Sequence, residues 1–385
     1  MLRAPRRRPS PSSTFCLNAP SLAPRLSILF PLLKHQTSTP LVSEASRSLV
    51  HTSSFSSQPA STSSTNFDFA VFHRHRFSST STQLKYTSSP SARHQRLRPL
   101  HLQRRAFSQS ANMSSKLIPA NPADVMVIRN VTPNVATFSV PFARFGRIKI
   151  GGRGTLVKLT SGALAVFSPV ALTDAVKAKV AEMGGDVRYI VALDYEHHIF
   201  VSEWATAYPQ AKLIGPEGLP EKRAKQDDPK IGNEEFAVVF TKANKRQIRI
   251  GDDFDADFEY EYVDAHANLE IVFFYKPDRV LIQADLLFNL PAIEQYSKVP
   301  ESERPGGGFL DRLFSGVQDI SGDARWLKRA NWHFIKDRES FNDSMQRIEQ
   351  WDFITMIPCH GDTLEENTKE TFRKVFEWHL KGHKN

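Results

Sequence analysis

The order of strand-like and helix-like segments over residues 113–385 is the feature that most restricts the fold of this chain. Short runs rich in β-branched and aromatic residues come first, a helix follows, and strands and helices then alternate in groups to the end. Each sheet and each helix has an apolar face that must be removed from water, and stacking the elements in layers buries these faces against one another. We therefore predict an α/β fold, specifically a four-layer α/β/β/α sandwich.

The individual elements follow from periodicity and turn chemistry. Leu172, Val176, Val180 and Met183 recur at helical spacing, and Gly184 supplies a stop signal, so a helix is predicted there. Further helices are predicted over 323–334 and 340–351 and in the segment that carries Phe372, Val375, Phe376 and Leu380. The predicted strands span 125–128, 136–140, 154–159, 163–167, 189–193, 211–214, 236–240, 247–250, 258–262, 269–275, 280–282 and 353–358.

Polar side chains with metal-binding chemistry follow several of these strands. His197 and His198 come after one strand, His266 and Asp285 after two others, and His360 after the last. Loops at one edge of a sheet gather side chains into a site, and imidazole and carboxylate suit zinc, iron and manganese. The wide gaps between these residues exclude a zinc finger or a His-Glu-x-x-His helix. Tertiary structure must bring them together.

Cysteine contributes little to the predicted chemistry. Only Cys16 and Cys359 occur, which excludes a disulfide framework or a cysteine-based zinc site within residues 113–385. Adjacent residues of a strand point apart, so Cys359 is predicted to be a small buried hydrophobe and not a nucleophile paired with His360. The histidines predicted to lie on the surface or on helix faces are His333, His379 and His383.

Three local motifs carry a family resemblance. They are Asp264-Ala265-His266-Ala267-Asn268, Gln283-Ala284-Asp285-Leu286-Leu287-Phe288 and His360-Gly361, and a further segment from Pro209 to Pro216 adds to them. In their order and spacing the chain resembles the metallo-β-lactamase fold superfamily, and in particular its DUF4336-type branch, which includes fungal β-lactamase-like proteins. The resemblance covers about residues 120–380 and implies the same four-layer fold.

The first metal motif of that superfamily, His-x-His-x-Asp-His, is degenerate here. When His198 is aligned with its last histidine, Leu193 and Tyr195 stand at the two leading histidines and His197 at the aspartate. A one-metal site therefore fits the sequence better than a two-metal site. Its predicted ligands are His198, Asp285 and His360, with His197 or His266 added.

The resemblance implies one divalent metal ion, with zinc favoured over iron. A bound metal lowers the pKa of its water to about 7 and makes hydroxide available near neutrality. Asp285 is predicted to bind the metal or to accept the proton of that water, and Tyr195 to donate a hydrogen bond to the developing oxyanion. Asp194 or Glu196 is expected to orient a ligating imidazole, with Asp194 itself a ligand if the loop is shifted.

The function implied is hydrolysis of a small ester, thioester or lactone by a metal-bound water. Two alternatives stay open at this point: a redox protein with a single iron, and a non-catalytic binding protein that keeps the fold and needs no metal. The segment 306–314 is interpreted either as a lid over the pocket or as an ordinary loop and short helix.

Residues 1–112 have a different composition from the rest. They hold 15 lysines and arginines, 24 serines and only two acids, Glu44 and Asp68, without helical or strand periodicity. We predict a disordered leader that acts as a mitochondrial transit region and directs the protein to the matrix, or a cytoplasmic form if translation starts at Met113.

Residues 113–385 carry a small acidic excess, and all apolar runs are shorter than the ~18–20 residues that span a bilayer. The core is therefore predicted to bind a small-molecule substrate, without nucleic acid and without a membrane span.

Overall fold

The computed structural model of the chain describes residues 121–384. The predicted leader, 1–112, and its boundary with the core lie outside the described residues. The strands are β1 (Val127–Asn130), β2 (Val135–Val140), β3 (Ala143–Arg144), β4 (Ile148–Lys149), β5 (Gly152–Lys158), β6 (Leu164–Phe167), β7 (Val187–Val191), β8 (Lys212–Pro216), β9 (Val238–Phe240), β10 (Phe258–Val263), β11 (Glu270–Tyr275), β12 (Val280–Gln283) and β13 (Thr355–Pro358).

The helices lie between and after these strands. They are α1 (Pro122–Val125), α2 (Asp174–Met183), α3 (Val201–Ala207), α4 (Leu219–Ala224), α5 (Asp252–Asp257), α6 (Phe309–Val317), α7 (Arg325–Phe334), α8 (Arg338–Gln350), α9 (Thr368–Val375) and α10 (Glu377–Lys381). Two 3₁₀ turns follow β12, at Glu294–Tyr296 and Glu301–Glu303. Across residues 121–384, no helix combines the length and apolar character that crossing a membrane requires.

The strands form two large sheets and one hairpin. The first sheet has the order β1-β2-β5-β6-β7-β8-β9, with parallel pairing from β6 to β9. The second has the order β10-β11-β12-β13, and only its β12–β13 pair is parallel. Strands β3 and β4 form a separate two-stranded hairpin. Parallel pairs bring the carboxyl ends of successive strands to one edge, where loops are free to build a site.

Side-chain alternation divides the core into layers. On β7, Val191 packs into a core between the two sheets, whereas Ile190 packs into a second core on the outer face of the first sheet. On β11, Phe273 joins the same inner core, and Phe274 joins a third core on the outer face of the second sheet. Successive residues of a strand point to opposite faces, so each sheet has two apolar faces to cover.

Helices cover both outer faces. Val176 and Val180 of α2 and Trp204 of α3 pack on the first sheet, and Phe341 of α8 and Phe372 of α9 pack on the second. The order of layers is therefore helix, sheet, sheet, helix, and the predicted four-layer α/β/β/α sandwich is confirmed. The predicted helix ending at Gly184 is also confirmed, with the Thr173 hydroxyl capping its first turn.

Two local predictions are wrong. The segment 247–250 is not a strand, because the Asn244 carbonyl accepts hydrogen bonds from the N–H groups of Gln247 and Ile248 and turns the chain. Its apolar character reflects Ile250, which is buried in the inner core. The predicted last helix is two helices, α9 and α10, that meet at Phe376.

His379 also differs from its prediction as a surface or helix-face residue, because it is only 1% exposed. Its Nδ1 lies 2.7 Å from Asn342 Oδ1, and its ring packs edge-on against Phe341. Burial, with a smaller contribution from Arg338, lowers the pKa of His379 to about 4. The folded protein therefore keeps this imidazole neutral at a pH where the unfolded chain protonates it.

This burial predicts a pH-dependent loss of stability. The folded pKa lies below the unfolded value of about 6.5, so the unfolded state binds the extra proton and the free energy of unfolding falls as pH drops from about 7 towards 4. Urea unfolding at pH 7.5 and pH 5 should show that the wild type loses about 2 kcal/mol more than the His379→Gln variant between these pH values. Equal losses in the two proteins would contradict this assignment.

Candidate metal centre

Two of the sequence-predicted ligands are placed by the parallel pair at the end of the second sheet. Strands β12 and β13 are in register with Gln283 opposite Pro358. Asp285 and His360 each lie two residues beyond this last pair. Because parallel strands end at the same edge, the two side chains emerge side by side. His360 Nε2 lies 3.1 Å from Asp285 Oδ1.

The third side chain comes from the loop after β7 in the first sheet. Asp194 Oδ1 accepts hydrogen bonds from the backbone N–H groups of Glu196 and His197, each at 2.8 Å. This is an Asx turn, in which a short carboxylate bonds backbone groups two and three residues further on. The turn directs the His197 ring back towards Asp194 and into the space between the two sheet edges.

Backbone hydrogen bonds join the edges of the two sheets at this loop. The Ile271 N–H donates to the Leu193 carbonyl at 2.7 Å, and the Tyr195 N–H donates to the Asn268 carbonyl at 2.9 Å. These bonds fix the loop after β7 to the start of β11. His197 therefore lies beside Asp285 and His360, although it is 88 residues before Asp285 in the sequence.

His197, Asp285 and His360 form the cluster with the geometry of a metal centre. Their nearest ligand atoms all lie within 4.8 Å of one another, and His197 Nε2 is 3.1 Å from His360 Nε2 and 3.9 Å from Asp285 Oδ1. Donor atoms that bind one ion tetrahedrally at ~2.0–2.2 Å lie ~3.3–3.6 Å apart. The observed separations of 3.1, 3.1 and 3.9 Å bracket that range.

The partners of the two imidazoles assign their tautomers. His197 Nδ1 lies 2.8 Å from Asp194 Oδ1, and His360 Nδ1 lies 2.6 Å from the Gly151 carbonyl oxygen. Both partners are acceptors, so each Nδ1 carries the proton and, in the neutral ring, each Nε2 presents a lone pair to the cluster. Metal-ligating histidines characteristically donate their other N–H to a carboxylate or a carbonyl in this way.

Asp285 completes the set with an oxygen that lacks a well-directed partner. Its Oδ2 accepts a hydrogen bond from the Asn268 side chain at 2.5 Å. Its Oδ1 is buried and makes no hydrogen bond of ordinary geometry within residues 121–384. Burial alone would raise the pKa of Asp285, but His197 and His360 hold it well below its usual range. The carboxylate is therefore charged and faces the two imidazoles.

Two nitrogen lone pairs and a carboxylate oxygen cannot face one another without a positive charge between them. In the protein without metal, that charge is a proton. Burial lowers the pKa of His197, but Asp194 and Asp285 outweigh it and raise the pKa to about 9. A divalent cation satisfies all three atoms at once, and the donor set of two imidazoles and one carboxylate suits zinc or iron. The residues present therefore fit a metal ion.

His198, a predicted ligand, lies outside the cluster. It is 3% exposed, and its Nδ1 lies 3.2 Å from the guanidinium of Arg223, which also donates to the His198 carbonyl at 2.8 Å. Burial, Lys222 and Arg223 lower the pKa of His198 to about 3. The two neighbouring histidines thus point to different sides of the loop, and His197 takes the place that the sequence alignment gave to His198.

His266 lies near the cluster without joining it. Its Nδ1 accepts a hydrogen bond from the Asn268 N–H at 3.4 Å and lies 3.5 Å from the Glu270 carboxylate. Burial lowers the pKa of His266 in spite of the nearby Asp285 and Asp194. A neutral ring that accepts at Nδ1 carries its proton on Nε2, so this tautomer does not present Nε2 as a ligand.

The other residues predicted to act at the site have different roles in the structure. Asp194 orients the His197 imidazole, whereas Glu196 Oε1 pairs with Lys222 Nζ at 3.0 Å. The Tyr195 ring packs beside Gly218 and under the Lys222 ammonium group. Cys359 is 3% exposed, and burial raises the pKa of its thiol well above the usual value, as suits a buried hydrophobe.

Several residues that hold the centre carry no recognisable signal in the sequence. The Glu270 carboxylate, fully buried, accepts hydrogen bonds from the N–H groups of Ala284 and Asp285 and fixes the end of β12. Asn268 donates to Asp285, as described above. Such polar residues are recognisable only when the strands that carry them are already placed, because no spacing pattern marks them.

Arg153 ties the His360 loop to the first sheet. Its side chain is completely buried. It donates hydrogen bonds to the carbonyls of Pro358 at 2.8 Å and Gly361 at 2.6 Å, to the Ser139 hydroxyl at 3.0 Å and to Glu294 at 3.3 Å. A buried charge is tolerated when it is paired and hydrogen-bonded in this way. The position of His360 therefore depends on a residue in the opposite sheet.

Gly361 explains why a glycine follows His360. Its φ is +83°, in the left-handed region, and a Cβ built there would lie 2.1 Å from the Asn289 carbonyl oxygen. Only glycine avoids both the strain and the clash. The His-Gly pair is thus a structural requirement of the loop that carries His360.

A cavity of about 210 Å³ opens beside the centre. His197 and His360 form part of its lining, together with residues of β2, the β3–β4 hairpin and the loops after β6 and β7. A metal ion held by three protein side chains keeps further coordination positions available. The cavity supplies the space in which a small molecule can reach such a position.

Comparison with known proteins agrees with the sequence resemblance. The family model DUF4336, described as a domain of unknown function, matches residues 144–302. The predicted resemblance to the DUF4336-type branch is confirmed over this segment. The segment includes His197 and Asp285, and His360 lies beyond it. No curated protein sequence matches the chain.

Solved structures with similar folds are distant in sequence. A metallo-β-lactamase from Pontibacter korlensis is 11% identical, with a TM-score of 0.41, and the match covers 66% of this chain and 99% of that one. The metal-soaked Flv1 flavodiiron core from Synechocystis is 12% identical, with a TM-score of 0.42, and the match covers 66% and 60%. Structural similarities with such low identities and TM-scores give no information on activity. The fold is assigned from the packing of the helix and sheet layers.

The buried Arg153 network of the domain predicts a large stability effect. Replacing Arg153 by Met leaves two buried carbonyls without this donor and removes one of the two arginine partners of Glu294, so the free energy of unfolding should fall by about 3–5 kcal/mol. Unfolding in guanidinium chloride measures this free energy. The control is Arg188→Met, at an exposed position of β7, which should change the free energy of unfolding by less than about 0.5 kcal/mol. Equal effects of the two substitutions would argue against a structural role for Arg153.

Proposed function

We propose that this protein binds one divalent cation through His197, Asp285 and His360 and hydrolyses a small ester, thioester or lactone. The observation that carries this proposal is the convergence of His197 Nε2, His360 Nε2 and an Asp285 carboxylate oxygen on one point beside a cavity, with the Nδ1 atom of each imidazole committed to an acceptor. Zinc is favoured, since two imidazoles, a carboxylate and a water molecule are an established set of ligands for catalytic zinc.

When bound, a divalent cation polarises a carbonyl oxygen and makes hydroxide available near neutral pH. The reaction adds a water oxygen to the carbonyl carbon and breaks the bond from that carbon to the leaving oxygen or sulfur. The leaving atom takes a proton that derives from the water, and the proton of the acid product passes to solvent. We assign Asp285 to holding the cation and not to proton transfer, because its low pKa makes it a weak base.

Asp194 acts as a positioning residue in this proposal. Its carboxylate is fully buried, accepts the Nδ1 proton of His197 and holds two backbone N–H groups of the same loop. It therefore fixes both the tautomer and the direction of the His197 ring. Tyr195 takes no part, because its ring packs beside Gly218 and Lys222.

Metal content tests the ligand assignment directly. Protein purified after growth with added zinc should contain about one ion per chain, and the His197→Ala, Asp285→Ala and His360→Ala variants should each lose most of it, since each removes one of three ligands. His198→Gln is the matched control, at the neighbouring position outside the cluster, and it should retain the ion. Loss of metal in His198→Gln with retention in His197→Ala would reverse the assignment.

Activity tests the reaction class. The wild type should hydrolyse p-nitrophenyl esters, thioesters or lactones, lose that activity on chelation and regain it with added zinc, because the three side chains have no nucleophile of their own. His360→Ala should lower kcat/KM at least about 100-fold, whereas His333→Ala, at an exposed position, should leave it unchanged. A protein that binds the ion yet hydrolyses none of these compounds would support the non-catalytic alternative.

A single iron is the second candidate, and the ligand set is its support. Two histidines and one aspartate with open positions are also the ligands of non-haem iron(II) sites. Metal analysis of protein purified without oxygen from cells grown without added metal distinguishes the two candidates. Iron as the main metal, with an optical or electron paramagnetic signal that changes on exposure to oxygen, favours redox chemistry. Zinc alone excludes it.

A further inference from the structure

The cavity beside the metal centre has a strongly apolar lining. Its apolar lining residues include Val140, Phe142, Val170, Ala171, Ile199 and Phe200. An apolar cavity of about 150 Å³ is large enough to bind benzene. The present cavity, at about 210 Å³, therefore holds one aromatic ring with a few further carbons, or a chain of medium length. Burial of hydrocarbon here is favourable because it removes apolar surface from water.

A guanidinium interrupts this apolar wall. The Arg144 side chain is 23% exposed and forms a long ion pair with Asp285 Oδ2, at 4.0 Å. It lines the cavity. The Ser168 hydroxyl, in contrast, is buried beside the Cys359 thiol and does not open onto the cavity. The planar guanidinium fork of Arg144 suits an anion with two oxygens.

The acids near the cavity do not cancel the attraction of Arg144 for an anion. Glu196 also lines the cavity, but its carboxylate pairs with Lys222 Nζ at 3.0 Å. Asp285 belongs to the ion-binding cluster, where His197 and His360 face it. Arg144 is therefore a cation at the edge of an apolar cavity and within reach of the metal centre, which is where the carboxylate released by hydrolysis would lie.

We infer that the compound hydrolysed carries a compact apolar acyl group, which occupies this cavity, and that Arg144 binds the carboxylate that hydrolysis forms from it. This inference rests on the proposed hydrolase function and adds a substrate class and a binding residue to it. The cavity volume of about 210 Å³ fits an acyl group about the size of a hexanoyl or phenylacetyl group.

Binding of the product acids tests the inference without turnover. Isothermal titration of the full-length, zinc-loaded protein with acetate, butyrate, hexanoate and octanoate should show affinity rising about threefold to fourfold per methylene as far as hexanoate and then levelling off. Phenylacetate should bind about as well as hexanoate. The same dependence on chain length should persist after the metal is removed, because the cavity wall and not the ion recognises the hydrocarbon.

Matched variants assign the binding to the cavity and to Arg144. Ala171→Phe fills the cavity and should weaken hexanoate at least about tenfold with little effect on acetate, whereas Ala181→Phe, on the exposed face of α2, should leave both unchanged. Arg144→Gln should weaken every acid about tenfold or more, while Arg147→Gln, exposed on the same hairpin, should not.

The outcomes separate this inference from the proposed function. If acids bind with the expected dependence on chain length and no ester is hydrolysed, the hydrolase function fails, and the ligand class assigned to the cavity and to Arg144 stands. Ester hydrolysis that is indifferent to acyl chain length, together with a neutral Ala171→Phe variant, overturns the inference and leaves the hydrolase function in place. A neutral Arg144→Gln variant overturns the role of Arg144.

Discussion

Two imidazoles that face each other through Nε2 atoms 3.1 Å apart, with a charged carboxylate oxygen beside them, are the constraint on which the account of this protein depends. Each ring has its proton on the far nitrogen, committed to the Asp194 carboxylate or to the Gly151 carbonyl. The space between them must therefore contain a positive charge. A proton meets this need for two of the three atoms, whereas a divalent cation meets it for all three.

The three side chains meet because the fold joins the edges of two sheets. The parallel pair β12–β13 sets Asp285 and His360 side by side, and backbone bonds from β7 to the start of β11 bring His197 to them. Arg153 and Glu270 hold the supporting loops from positions with no exposure to solvent or almost none. Buried polar groups are costly unless their partners are present, so the centre and the stability of the core depend on the same network.

The sequence was sufficient for the layers and for part of the centre. Alternation and helical spacing define the sheets and α2, and strand ends identify Asp285 and His360, because the carboxyl ends of parallel strands share an edge. The choice between His197 and His198 depends on the Asp194 turn and on Arg223, which lies 25 residues further along the chain than His198. Arg144 gave no sequence signal, since its role comes only from the cavity beside it. The burial of His379 depends on how α10 packs on α8, which periodicity alone does not fix.

Anomalous X-ray scattering from crystals of the zinc-loaded protein, with data collected on both sides of the zinc absorption edge, tests the central claim most directly. The account predicts one peak, with ~2.0–2.2 Å from the ion to His197 Nε2, His360 Nε2 and an Asp285 carboxylate oxygen. A peak on His198 or His266, or zinc-loaded crystals with no peak between these three side chains, would contradict it.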